Sequence, residues 1–140
     1  MCIRDSGTPE QQARLLPRMA TGEVRGAFSM SEPGLGSDVA GIRTRAVRDG
    51  DDYVVDGQKM WLTNGGSSTL VAALVRTDEG AEKPHQNLTT LLVEKPAGFG
   101  EVAPGLTIPG KIDKMGYKGV DTTELAVSYT HLTLPTNREV

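Results

Sequence analysis

Two short segments of this sequence combine residue types that suit a ligand-binding site. The first runs from Phe28 to Asp38 (FSMSEPGLGSD), and the second runs from Lys59 to Gly65 (KMWLTNG). The first segment ends a strand in a turn with two glycines, so its backbone N–H groups can approach a ligand closely. Ser31 and Ser37 add hydroxyls that can donate to a carbonyl, an amide or a phosphate group. On its own, this pattern also fits a solvent-exposed Pro-Gly turn that binds nothing.

The second segment is predicted to be a strand that carries an aromatic ring and a hydroxyl on the same face. Successive side chains in a strand point to opposite faces, so Trp61 and Thr63 share one face while Met60 and Leu62 share the other. The aliphatic pair suits the core, whereas an indole and a hydroxyl suit a flat ligand that accepts or donates hydrogen bonds. Trp61 is the only tryptophan of the chain. A half-exposed tryptophan that covers a barrel face is the alternative interpretation.

Other kinds of site have little support. The Gly-Leu-Gly triplet at 34–36 is followed by Val39 where a Rossmann fingerprint needs its third glycine. Cys2 is the only cysteine, which excludes an intramolecular disulfide and a cysteine-based zinc site. His85 and His131 lack metal-ligand spacing, and there is no G-x-S-x-G elbow. We therefore expect no metal site and no serine or cysteine nucleophile.

The charged residues near these segments favour structural roles. Glu32 and Asp38 lie beside Pro-Gly and after Gly-Ser, where an acidic residue typically caps a turn. Arg43 and Arg45 share one strand face. We interpret that face as solvated, with a contact to ligand phosphates as the alternative.

Composition limits the class of protein. A chain of 140 residues is large enough for one domain with a core, and 37% hydrophobic with 24% charged residues is ordinary for a soluble protein. The net charge of −3 gives no electrostatic reason to expect nucleic acid or an anionic membrane as partner. No apolar run approaches the roughly 20 residues that span a bilayer, and the N-terminus has no signal-peptide core. We expect a cytoplasmic protein without an integral membrane segment.

The elements that must position the two segments are mostly strands. Thr8-Pro9-Glu10-Gln11 predicts one short helix with a capping box, strained or ended at Pro17 and closed at Gly22. From Arg25 onward, Asp49-Gly50 and Asp56-Gly57 predict hairpin turns. Strands are predicted at 53–55, 58–63, 69–75, 88–93 and 121–127, and the core is predicted to include Ile42, Val71, Ala73 and Leu91. The pattern predicts a mainly β, antiparallel barrel or sandwich preceded by one short helix.

The two ends differ from the rest of the chain. Met1–Ser6 and Ser128–Val140 show no amphipathic period that could bury a face, so we expect both to pack poorly. We interpret them as translated sequencing-adapter read-through foreign to the domain, with a divergent natural terminus as the alternative.

Together, the pair Glu-Pro-Gly-x-Gly-Ser-Asp and Met-Trp-x-Thr-Asn-Gly resembles the paired signature of the acyl-CoA dehydrogenase family. The resemblance extends over about residues 8–127, and further matches are Gly-Thr-Pro-Glu-Gln at 7–11, Asp-Lys-Met-Gly at 113–116 and Asp-Thr-Thr-Glu-Leu at 121–125. It implies four parts. Residues 1–7 are a non-family tail, 8–24 the last helix of an N-terminal helical domain, 25–127 the middle β-domain and 128–140 a second non-family tail.

The resemblance also implies a reaction. Members of this family bind FAD and dehydrogenate an acyl-CoA thioester between Cα and Cβ, as in fatty acid β-oxidation. A glutamate base takes the α-proton while the β-hydride moves to flavin N5, and an electron-transferring flavoprotein then accepts the electrons. The base belongs to a C-terminal helical domain, so this chain is expected to be a fragment of a homo-oligomeric enzyme and to be inactive alone.

Carried over to this sequence, the resemblance assigns FAD contacts to Phe28, Met30, Ser31, Trp61, Leu62 and Thr63. Within that set, Ser31 contributes a hydroxyl to the pyrimidine edge of the flavin, Trp61 lies beside the ring and Thr63 bonds N5. Ser37 matches a serine that contacts the CoA portion of the substrate, and His85 falls near another acyl-CoA contact. The alternatives are an acyl-CoA oxidase or a flavin-dependent monooxygenase of the same fold, and a non-catalytic β-domain that only packs against partners.

Overall fold

The computed structural model describes residues 3–77 and 84–132, with the backbone alone at 84–85 and 129–132. Its helices and strands are α1 (Ile3–Ser6), α2 (Pro9–Ala20), β1 (Gly26–Ser29), β2 (Arg45–Asp49), β3 (Asp52–Thr63), β4 (Leu70–Arg76), β5 (Leu88–Glu94), β6 (Gly100–Ala103), β7 (Leu106–Ile108) and β8 (Thr122–Leu132). Short 3₁₀ helices occur at Val39–Gly41 and Pro84–Asn87. Within the described ranges, no helix is long and apolar enough to cross a membrane.

The eight strands form one curled sheet. Its order is β1-β4-β2-β3-β8-β7-β6, and β5 pairs with β4 outside this path. Most neighbours are antiparallel, and the parallel pairs are β1 with β4 and a single pair of residues between β2 and β4. The mainly β, mainly antiparallel fold predicted from the sequence is therefore confirmed.

The core has two parts that explain the almost continuous apolar run of β4. Val71, Ala73 and Val75 point into the curled sheet, while Leu70 faces the other side. On that side Leu15 of α2 packs against the sheet. The strand is thus buried on both faces, as its sequence predicts. All four residues predicted to lie in the core are buried, namely Ile42, Val71, Ala73 and Leu91.

The start of α2 follows its sequence signal. Thr8 Oγ1 accepts from Gln11 N at 3.2 Å, and Gln11 Oε1 accepts from Thr8 N at 2.9 Å, which completes the predicted capping box. Pro17 does not end the helix, which continues to Ala20. Gly22, with a φ of +78°, closes the segment as expected.

The hairpin predicted at Asp56-Gly57 is wrong. Asp49-Gly50 does form the turn between β2 and β3, but Asp56-Gly57 lies inside β3, where the register with β8 shifts. A Cβ on Gly57 would lie 2.6 Å from Thr44 Oγ1. The glycine is therefore required for close approach to Thr44 and for the bulge, and an Asp-Gly pair alone does not distinguish this from a turn.

The described residues of both chain ends form secondary structure that the sequence did not predict. Ile3–Ser6 forms an unpredicted helical turn, and Ile3 packs against the cluster that contains Leu15. β8 continues past its predicted end at Val127 to Leu132 and pairs with the start of β3. The expectation of poor packing is thus wrong for Ile3, whereas α1 contains no fully buried residue and the side chains of 129–132 lie outside the described part of the structure. Backbone pairing along an open strand edge needs no amphipathic pattern, whereas residues 1–2 and 133–140 lie outside the described part of the chain.

Candidate functional site

The first segment forms a closed turn directly after β1. Glu32 and Leu35 exchange two backbone hydrogen bonds, of 2.9 and 3.0 Å, around Pro33 and Gly34. Proline fixes the backbone for the first central position of such a turn. A Cβ on Gly34 or Gly36 would meet no atom within 4 Å, so the turn backbone borders open space. A ligand can therefore come close to it.

The structure brings the two segments side by side. Met60 N donates to Ser31 O at 2.9 Å, and Lys59 Nζ donates to Met30 O at 3.2 Å. The end of β1 and the middle of β3 are thus joined by one backbone bond and one side-chain bond. These bonds fix the distance between the segments.

A buried ion pair reinforces this junction. Lys59 is 1% exposed and Glu32 is 6% exposed, and their Nζ and Oε1 atoms are 3.0 Å apart. Oε1 also accepts from Thr44 N at 2.9 Å, and Oε2 accepts from Arg43 N at 2.8 Å. The carboxylate therefore ties the turn to two other parts of the sheet. All these partners belong to the fold of the chain itself, which supports a structural role for Glu32 instead of a role as acid or base.

Hydrogen bonding and burial act in opposite directions on this pair. Burial raises the pKa of the Glu32 carboxyl, but hydrogen bonds from Thr44, Arg43 and Lys59 outweigh it and hold the pKa below its ordinary 4.5. Burial lowers the pKa of the Lys59 amine below its ordinary 10.5, and the ion pair with Glu32 opposes only part of that effect. The ammonium has two acceptors within 3.2 Å, so we treat the pair as ionised at neutral pH.

A β-bulge at Met60-Trp61 decides which side chains of the second segment face outward. Trp61 has a φ of +63°, and the register with β8 shifts between Lys59 and Leu62. Lys59 and Leu62 are therefore both buried although they lie three positions apart. The predicted inward pair of Met60 and Leu62 is wrong because the bulge interrupts strict alternation. A non-glycine residue in this backbone region costs about 1–3 kcal/mol, and such strain is concentrated at functional sites.

The predicted site residues differ in how their side chains are placed. Trp61 is 57% exposed, Phe28 and Thr63 are also exposed, and Ser31 and Met30 are half-buried. Leu62 is 1% exposed and packs in the core, so it can contact a ligand only through its backbone.

The two predicted substrate contacts, Ser37 and His85, both follow the Glu32–Leu35 turn in the chain. Ser37 is exposed and precedes the 3₁₀ helix Val39–Gly41. That helix contacts the 3₁₀ helix Pro84–Asn87, in which His85 lies. The backbone of His85 is thus near the end of the turn, and its side chain lies outside the described part of the structure.

The sequence reasoning missed three charged residues around the site. Lys59 and Lys95 are buried lysines, and Asp121 binds the backbone of the segment that follows Thr63. The sequence feature that could have indicated the two lysines is their position next to apolar strand residues, since Lys59 precedes Met-Trp-Leu and Lys95 follows Leu-Leu-Val-Glu. A charged residue beside an apolar strand is often solvated, so the sequence alone does not separate these cases.

Comparison with known proteins places this geometry in a family. A sequence profile described as "Acyl-CoA dehydrogenase, middle domain" matches residues 27–129. The mitochondrial long-chain specific acyl-CoA dehydrogenase of Mus musculus is 38% identical over 135 residues, which are 96% of this chain and 30% of the mouse protein.

Solved structures agree with the sequence match. An acyl-CoA dehydrogenase from Geobacillus kaustophilus has a TM-score of 0.88 and 39% identity, covering 98% of this chain and 35% of that chain. A glutaryl-CoA dehydrogenase from Mycobacterium smegmatis in complex with FADH2 has a TM-score of 0.80 and 33% identity, covering 98% and 33%. This chain spans less than half the length of these relatives. It belongs to the acyl-CoA dehydrogenase family, and it matches the middle domain of that family.

Proposed function

We propose that this chain is the middle domain of an FAD-dependent acyl-CoA dehydrogenase and supplies contacts to both the flavin and the acyl-CoA. The observation that carries the proposal is the junction between Ser31 and Met60, with the bulge that turns Trp61 outward. It joins the segment that carries Ser31 to the segment that carries Trp61 and Thr63, whose side chains are exposed. FAD has a flat ring with a hydrogen-bonding edge, and these groups suit such a ring.

Each residue has a distinct role in the proposal. The backbone of Met30 and the hydroxyl of Ser31 bond the pyrimidine edge of the flavin, while the indole of Trp61 packs on the ring. The Thr63 hydroxyl would hold the flavin at N5, and a donor there would stabilise the negative charge that the flavin gains on reduction. Leu62 contributes through its backbone and Phe28 through its exposed ring. The bound flavin supplies the hydride acceptor.

The substrate contacts follow from the same arrangement. Ser37 donates its hydroxyl to the CoA portion of the acyl-CoA, and the segment around His85 borders the same end of the turn. Glu32 fits poorly as a base because it is buried with internal partners, and Asp38, whose side chain does not cap the 3₁₀ helix that follows it, matches no base that the family resemblance implies. We therefore infer that the base is supplied by a part of the enzyme outside this chain.

The whole enzyme needs partners that this chain does not contain. We infer a homo-oligomer that passes electrons from the reduced flavin to an electron-transferring flavoprotein. Removing the α-proton of a thioester requires a base within hydrogen-bond reach in a pocket closed to water. The 140-residue chain alone is therefore expected to leave FAD oxidised when it is mixed with acyl-CoA.

Anaerobic reduction tests the proposal. The full-length protein that contains this segment is reconstituted with FAD and mixed with short-, medium- and long-chain acyl-CoAs while flavin absorbance is followed. Bleaching by at least one acyl-CoA is expected. A protein that never retains flavin would favour a non-catalytic β-domain, and rapid reoxidation of the reduced protein by oxygen would favour an oxidase or a monooxygenase.

A further inference from the structure

The residues that connect β3 to β4, 64–69, form an exit loop that leads the chain away from Thr63. Asn64 has a φ of +62°, in the left-handed region that non-glycine residues rarely adopt. Its N–H donates to the Asp121 carbonyl at 3.0 Å, and Ser67 N donates to Asp121 Oδ2 at 3.2 Å. Asp121 thus accepts two backbone N–H groups of the loop, one through its main chain and one through its side chain.

Three carbonyl groups of the exit loop, those of Gly66, Ser68 and Thr69, accept hydrogen bonds from the segment that follows β5. Lys95 Nζ donates to Ser68 O at 2.8 Å, and Lys95 N donates to Thr69 O at 3.1 Å. Gly98 N donates to Gly66 O at 2.8 Å. Lys95 therefore holds the loop through both its side chain and its main chain, as Asp121 does.

Steric fit leaves the exit loop little freedom. A Cβ added to Gly65 would overlap the Thr123 hydroxyl, and a Cβ added to Gly66 would overlap the Phe99 ring. The loop backbone thus lies directly against β8 and against the segment after β5. A change in either support must move the loop, because tightly packed neighbours transmit strain.

The two supports carry opposite charges in a poorly solvated place. Lys95 is 5% exposed, and Asp121 Oδ1 is buried and accepts no hydrogen bond from the part of the chain that is described. Burial lowers the pKa of the Lys95 amine, and the negative charge of Asp121 opposes that shift. A buried charge is costly without an opposite charge nearby. The negative charge of Asp121 therefore offsets part of the cost of burying the Lys95 ammonium beside the exit loop.

We propose that Asp121 and Lys95 are positioning residues, which act through the exit loop to hold the Thr63 hydroxyl at its place beside the flavin. Asp121 directly precedes Thr122, the residue that pairs with Thr63 between β8 and β3. Its carbonyl receives the first N–H after Thr63 and its carboxylate receives Ser67 N, so it holds the chain at two points after that residue; the carboxylate bond is the one that Asp121→Ala removes. The proposal rests on the proposed function, since the Thr63 contact is part of it.

A double-mutant cycle on flavin reduction tests this positioning role. In the full-length protein loaded with FAD, Asp121→Ala is expected to lower the rate constant of flavin reduction by acyl-CoA about threefold to tenfold, the value of one hydrogen bond. FAD content and the KM for acyl-CoA are expected to stay unchanged. In a Thr63→Val background, the same Asp121→Ala change is expected to have no further effect, because the hydroxyl it positions is absent.

The controls separate the possible failures. Asp113→Ala, which breaks only a surface pair with Lys118, is the matched control and is expected to leave the rate unchanged. Asp121→Asn keeps the size of the side chain and an oxygen that can accept from Ser67 N. If the Asp121→Ala protein does not fold, Asp121→Asn replaces it in the same cycle. Lys95→Met is expected to repeat the pattern of Asp121→Ala. An equal loss in both backgrounds would overturn the positioning role, whereas a wild-type protein without acyl-CoA-dependent bleaching would overturn the proposed function itself.

Discussion

The buried Lys59–Glu32 pair makes a direct prediction for stability. Lys59→Met removes the ammonium and keeps most of the apolar stem, so Met30 O loses its donor and the Glu32 carboxylate stays buried with two backbone N–H groups. Removing one member of a buried pair costs about 3–5 kcal/mol, because the other charge remains without compensation. A domain has only about 5–15 kcal/mol of stability. We therefore expect this one change to remove a large part of the free energy of unfolding.

Urea unfolding followed by circular dichroism measures this loss. Lys118→Met is the matched control, because it removes an ammonium from an exposed pair at 3.5 Å and should change the free energy of unfolding little. The double variant Lys59→Met with Glu32→Gln should recover part of the loss, since neither charge is then left alone. A Lys59→Met protein as stable as the Lys118→Met control would refute the role assigned to the pair.

The remaining predictions concern pH, a glycine and a helix cap. Because the folded pKa of Glu32 is below its ordinary 4.5, its contribution to the free energy of unfolding is complete above pH 4.5 and is lost as the pH falls through the folded pKa. The free energy of unfolding should therefore depend less on pH in the acid range for Glu32→Gln than for the wild type, and identical curves would contradict this. Gly57→Ala should destabilise the fold by about 1–3 kcal/mol, because the new Cβ would meet Thr44 and the residue has a φ of +147°. Gly34→Ala should not destabilise it, because its new Cβ would point into open space, and equal effects of the two changes in thermal unfolding would argue against the bulge. Thr8→Ala should cost about 1 kcal/mol of stability and Thr8→Ser little, and a Thr8→Ser protein as unstable as Thr8→Ala would show that the hydroxyl does not cap α2.

Local patterns in the sequence predicted most of the fold. The capping box at Thr8, the Asp49-Gly50 hairpin and the apolar run of β4 each depend on neighbours within a few residues. Such signals are readable because the interactions that produce them are local. The prediction at Asp56-Gly57 failed because its glycine is required by a non-local contact, the close approach of Thr44.

The candidate site could be located from its motifs, but the residues that hold its backbone in place could not be predicted. Strict alternation predicted Met60 and Leu62 on the buried face, but the bulge puts Lys59 and Leu62 there, and Lys59 pairs with Glu32, which lies 27 positions earlier in the chain. Lys95 and Asp121 meet the exit loop from segments that are far away in the chain. Long-range pairs of this kind leave no periodic trace in a single sequence.

The position of the flavin is the most direct test of the account. A crystal structure of the full-length protein with bound FAD would locate the isoalloxazine ring relative to the junction of Ser31 and Met60. The ring is expected to lie against Trp61, with the Thr63 hydroxyl within about 3.2 Å of N5. A flavin bound away from Trp61 and Thr63 would contradict it.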